Sequence, residues 1–136
     1  MNATDSRDSL SAMYEAFGRG DIGFIVDRVA DNVRWEYAHC PTNVPWLKPR
    51  TGKQGVRDFF DSLKIVDFLK FEPKLILGNG RVAVGIVDVS VRVRETGRLI
   101  EEPEEVHLFH FNAAGLVERF CHRVDSHAHW LAVQAC

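Results

Sequence analysis

No stretch of 18 consecutive apolar residues occurs in the 136-residue chain, and its start, MNATDSRDSL, has no cationic start followed by the apolar run of a secretory leader. Neither a membrane span nor secretion is expected, and the expected compartment is the cytoplasm. Cysteine is scarce: Cys40, Cys121 and Cys136 are odd in number, far apart and without a CxxC pair, which argues against a disulfide framework. Positive charge is not in excess either. The net charge is −2, so a nucleic-acid partner is not expected. HExxH, HxxxH, a phosphate-cradling glycine loop and a Ser-His-Asp spacing are all missing, and neither a metal nor any other cofactor is expected.

What is present suffices for one globular domain over residues 1–136, with 46% hydrophobic and 26% charged residues. Leu10, Met13, Tyr14 and Phe17 recur at i, i+3, i+4 and i+7. So do Ile22, Ile25, Val26 and Val29, and Val56, Phe59, Phe60 and Leu63. Each set makes one apolar helical face. Asp5 or Ser6 can cap the first helix and Asp21 the second. Val33, Trp35 and Tyr37 then alternate with polar residues as a half-buried strand does. A proline-rich loop, HCPTNVPWLKPRTG, precedes the third helix. From Phe71 the chain reads as four strands, 71–77, 81–94, 99–111 and 116–124, divided by turn residues. The order predicts an α+β fold, a cone-shaped α+β barrel in which three N-terminal helices pack on a strongly curved, mostly antiparallel sheet. Such a cone encloses concave apolar space of the kind that holds ligands, and a hydrophobic small molecule is the expected ligand.

The stretches YEAFGRGDIGFIVDRVADNVRWEY, GKQGVRDFF and HLFHFNAAGLVERF, in this element order, resemble the SnoaL-like and ketosteroid-isomerase-like branch of the nuclear transport factor 2-like superfamily. The resemblance implies the fold over nearly the whole chain, and a cavity in which Tyr14 matches the tyrosine that hydrogen-bonds a substrate oxyanion. The family's general-base aspartate corresponds to Tyr37, its protonated aspartate donor to His107, and a supporting tyrosine to Phe60. With two of the three principal polar positions changed, steroid isomerisation by the family mechanism is not expected of this chain, and a ketosteroid isomerase-like or polyketide cyclase-like activity is. It also implies that the sheet face bearing His107 looks into the cone and that the opposite face meets a partner subunit.

Five of the six histidines fall between Glu104 and Trp130. A tight turn at Ala113-Ala114 would set His107 opposite Phe120, with His122 diagonal to it at roughly 7–8 Å between Cα atoms. A single bulge would instead bring Cys121 beside His107. His107, Phe109, Phe111, Leu116, Phe120 and His122 would share one face. Val106, Leu108, His110, Val117, Arg119, Cys121 and Arg123 would share the other, with His127 and His129 on a surface tail. Trp35, Tyr37, Phe59, Phe60, Phe109 and Phe120 are the expected aromatic wall, with Trp46 as rim or lid. Glu36 and Asp88 should point outward by alternation. Glu101, Glu102, Glu104 and Glu105 around Pro103 read as a solvated strand start, and Asp125 is a reserve base.

Two functions follow as expectations. One is a cofactor-independent isomerase, cyclase or lyase on a carbonyl compound of polyketide or terpenoid size, with Tyr14, His107 and His122 as the catalytic residues. The other is a non-catalytic protein holding a hydrophobic metabolite. Epoxide hydrolysis needs an Asp-Arg-Asp set that the pattern does not place. The outer sheet face, apolar at Val106, Leu108, Val117 and Cys121, suggests a homodimer, so sedimentation at micromolar concentration should show twice the chain mass.

Overall fold

The structure, a computed structural model, describes residues 3–37 and 42–134. Cys40 and Cys136 lie outside them. Helix α1 (Ala3–Gly18) and the short α2 (Ile22–Val26) lead into strand β1 (Val29–Trp35). A 3-10 turn (Pro45–Leu47) and strand β2 (Arg50–Thr51) precede α3 (Gly52–Ser62). Strands β3 (Val66–Asn79), β4 (Val82–Val93), β5 (Leu99–Phe111) and β6 (Val117–Arg123) follow, and α4 (Ser126–Val133) closes the chain. The six strands form one sheet in the order β2-β1-β6-β5-β4-β3, antiparallel except where β1 runs parallel to β6. The sheet is curved and unclosed, an α+β arrangement with helices against its inner side.

Asp21 caps α2 by accepting from the Phe24 N–H at 3.1 Å. That helix stops at Val26, short of the expected Val29. Lys53 on α3 donates to the carbonyls of Val26 and Val29 at 2.8 and 2.9 Å, supplying partners where the helix end leaves carbonyls without an intrahelical N–H. α1 begins before Asp5 and Ser6, so Ser6 is no cap; it is buried in the first turns and donates to the Val82 carbonyl at 3.5 Å. Asp125, the reserve base, has a structural job. It caps α4, accepting from the Ala128 N–H at 3.1 Å.

Three irregularities decide which side chains reach the interior. The first is at Glu36, whose φ of +57° places a residue with a Cβ in the left-handed region, at a cost of about 1–2 kcal/mol. The alternation of β1 breaks there, so Glu36 turns inward and is fully buried, while Tyr37 leaves the interior and bonds His110 at 3.3 Å. The second is at Glu104, with φ +59°, where β5 carries one extra residue against β4. Asp88 on β4 holds this bulge by accepting the Glu104 N–H at 2.9 Å. Glu102 and Glu105 turn inward on either side of it, so the acidic run is not one solvated edge.

The third lies in the last hairpin. Asn112 pairs Leu116 around a turn in which Gly115 takes φ +83°, and a bulge between His110 and Phe111 follows. Each shifts the register by one residue, and two single shifts restore the face. His107 therefore lies directly opposite His122, and Phe109 opposite Phe120, instead of His107 opposite Phe120. Val117, expected outside, pairs Phe111 and is fully buried.

Candidate active site

The inner sheet face and the helices enclose a cavity of about 110 Å³ lined almost wholly by aromatic and aliphatic side chains. An apolar cavity of about 150 Å³ holds benzene, so in this form the space suits one ring better than a fused polyketide. Tyr14, His107, His122, Trp35, Trp46, Phe59, Phe60, Phe109 and Phe120 all reach it. Tyr37 does not. The Glu36 turn puts its ring on the outer face between Arg119 and His110. Trp46 lies deeper than a rim residue, at 3% exposure.

Two polar chains meet on the wall. In the first, Tyr14 Oη lies 2.8 Å from His107 Nδ1, and His107 Nε2 lies 2.5 Å from Glu105 Oε2. An ionised carboxylate only accepts, so Nε2 carries the proton, and in neutral His107 the Tyr14 hydroxyl donates to Nδ1. In the second, His122 Nδ1 lies 2.5 Å from Glu36 Oε1, and the His122 backbone N–H donates to the same oxygen at 3.3 Å. That contact fixes the Nδ1–H tautomer and makes Nε2 the proton-accepting nitrogen. The two imidazoles face each other nearly at right angles, with centroids 6.0 Å apart.

Gly85 makes the first chain possible. It stands opposite His107 on β4, where a side chain would lie beside the imidazole. A Cβ at this position would sit 1.8 Å from Tyr14 Oη, 2.7 Å from Cζ and 2.9 Å from Cε2. The missing side chain is the space through which the α1 hydroxyl reaches His107.

A third carboxylate–imidazole pair lies on the same wall. His129, expected on a surface tail, is 4% exposed. Its Nδ1 accepts from Trp46 Nε1 at 2.8 Å and its Nε2 lies 3.1 Å from Glu102 Oε1, which also accepts the Asp125 N–H at 2.6 Å. His127 stays outside, stacked on Trp130. Among the described residues no three His, Cys, Asp or Glu side chains are arranged to hold a metal ion. Among the described residues neither Asp nor Arg lines the cavity, so the set needed for epoxide hydrolysis is not assembled from them there.

Burial acts to raise the Glu105 carboxyl, but the hydrogen bond from His107 and the charges of the three imidazoles outweigh it and hold it below the ordinary value of 4.5. The native state then binds fewer protons than the unfolded chain just below that pH. The stability contributed by Glu105 is in place above 4.5 and is lost as pH falls through the folded value. Glu102 runs the other way, because burial lifts it above 4.5 and its ionisation costs stability as pH rises from there. Glu105→Gln should therefore flatten the acid limb of a plot of urea midpoint against pH; an unchanged limb would contradict this assignment. Burial and the Glu105 charge together push the Tyr14 hydroxyl far up, so it keeps its proton and serves as a hydrogen-bond donor.

The sequence compares as the geometry does. Residues 10–120 match the profile of the SnoaL-like domain. The chain belongs to the SnoaL-like family. No protein of curated function matches this SnoaL-like sequence. Among solved structures, an NTF2-like protein from Burkholderia xenovorans aligns with a TM-score of 0.83 at 18% identity, covering 98% of this chain and 99% of its own. TerC, co-crystallised with polyporic acid, gives 0.76 at 18% identity, covering 96% and 99%. A provisionally named polyketide cyclase from Xanthomonas campestris pv. campestris gives 0.75 at 16% identity, covering 98% and 100%. At such identities the likeness establishes the fold. No described helix is long and apolar enough to cross a membrane.

Neither of the two carboxylates that complete the SnoaL-like cavity's polar chains, Glu36 and Glu105, was expected inside. Strand alternation pointed away from Glu36, and an acidic run beside proline reads as solvent-facing. The one available signal was the excess of histidines on a single face without acceptors to hold them.

Proposed function

We propose that this SnoaL-like chain is a cofactor-independent enzyme of the isomerase, cyclase or lyase type that moves a proton next to the carbonyl of a small apolar compound. The observation that carries the reading is the pairing, on one aromatic wall, of a carboxylate-backed imidazole with an imidazole-backed tyrosine. His122 Nε2 takes the proton from carbon, and Glu36 stabilises the imidazolium that forms. Tyr14 donates a hydrogen bond to the enolate oxygen as charge develops there. Both nitrogens of His107 are already engaged, so it is a positioning residue. When protonated, its Nδ1–H donates to the tyrosine oxygen and turns the hydroxyl proton toward the substrate. Returning the proton from His122 to another carbon completes an isomerisation. Expulsion of a β-leaving group from the same enolate gives a lyase outcome.

Deuterium incorporation next to the carbonyl of one-ring ketones and enones tests this. Exchange by the wild-type chain that is lost in Tyr14→Phe supports the mechanism. A ligand recovered unchanged from freshly purified protein, with no exchange on any ketone, would favour the non-catalytic binding alternative. Homodimerisation through the outer sheet face remains part of the proposal, supported by the half-buried Val106 and Leu108 on that face.

A further inference from the structure

The cavity wall carries Glu102 and Glu105, with Glu36 behind His122, and no Lys or Arg among its described residues. Each of the three imidazoles opposite these carboxylates is already paired with one of them. His107 is held by Tyr14 and Glu105, His129 by Trp46 and Glu102, and His122 at Nδ1 by Glu36. With the carboxylates ionised, protonating all three histidines brings the six groups to neutrality and no further. Any lesser protonation leaves the site negative.

We infer that this cavity selects the charge of its ligand: a ketone, ester or amide is accepted, and the carboxylate of the same shape is refused. The inference deepens the proposed function by narrowing its substrate class to compounds uncharged at the polar end. A carboxylate entering here would lose its hydration among aromatic rings, whose faces are themselves electronegative, and would meet no cation that does not already have a carboxylate partner. Like charges set close together in such surroundings repel strongly. The oxyanion of the proposed reaction escapes this penalty. It forms as His122 gains a proton, so each new negative charge is made together with a positive one.

Acetophenone, benzamide and benzoate have closely similar size and shape and differ in charge, which makes them suitable probes. Their affinities for the full chain near neutral pH can be measured by ligand-observed NMR titration, without any turnover. Acetophenone and benzamide are expected to bind at least about tenfold more tightly than benzoate. Glu102→Gln should raise the affinity for benzoate relative to that for acetophenone, narrowing the ratio between them. Benzoate binding as tightly as acetophenone, or no binding of either neutral probe, overturns the inference. The readout separates the two proposals: binding preference without exchange defeats the catalytic reading alone, and exchange without the preference defeats charge selection alone.

Discussion

His122→Ala is expected to lower catalysed exchange of the proton next to a ketone carbonyl by about 10²–10⁴-fold, the usual contribution of a positioned general base. His122 has a buried carboxylate at Nδ1, which fixes the tautomer and supports the cation formed on proton transfer. Its ring also packs on Phe120 at 5.9 Å and against Phe59 at 6.2 Å, so alanine removes packing as well as chemistry. His122→Gln keeps most of the volume and separates the two effects. Exchange should be lost in both variants, whereas the melting temperature should fall further in the alanine variant. Glu36→Gln keeps the shape and removes the charge, and its effect should lie in the pH dependence of the rate. Full exchange activity in His122→Gln would remove this residue from the mechanism.

Gly85→Ala is expected to destabilise the fold by about 1–3 kcal/mol, the usual cost of adding a methylene to a filled core. It should also displace the Tyr14 hydroxyl from His107. The obstacle is a tyrosine end anchored by a 2.8 Å hydrogen bond, with Phe71 in edge contact at 5.9 Å. Tyr14→Phe should not relieve the clash, because Cζ and Cε2 would stay within 2.9 Å of the added carbon. Tyr14→Ala should relieve it, so a double-mutant cycle should show a smaller cost of Gly85→Ala in that background. Nitrogen chemical shifts of His107 supply a second readout, since loss of the tyrosine contact changes the environment of Nδ1. Equal costs of Gly85→Ala in both backgrounds would contradict the steric account.

The α+β architecture was legible because periodicity is a local signal. β5 runs from Leu99 to Phe111 as the alternation predicts, and α3 buries Val56 and Phe59 as its spacing predicts. Errors gathered where one residue departs from the regular backbone. A left-handed Glu36 exchanges the roles of Glu36 and Tyr37, and the Glu104 bulge turns Glu105 toward His107. Such turns depend on contacts distant in sequence, such as Asp88 accepting the Glu104 N–H, and a strand pattern carries no trace of them. The face of His122 survived a wrong register because two single-residue shifts in the hairpin cancel in parity. Trp35, Phe59, Phe60 and Phe109 were legible because the strand or helical period runs unbroken through them, and Phe120, like His122, because the two hairpin shifts cancel. The carboxylates were not, since composition assigns Glu to solvent unless its partner is known.

In the proposed reaction a Glu36-backed His122 and a His107-backed Tyr14 act together on one carbonyl. Deuterium exchange into a panel of one-ring ketones and enones, followed by NMR for the wild-type chain and a Tyr14→Phe, His122→Gln double variant, tests it most directly. Exchange at the carbon next to the carbonyl is expected for at least one compound, reduced to the buffer rate by the double substitution. Exchange persisting undiminished in the folded double variant, or absent from the wild-type chain across the whole panel, would contradict it.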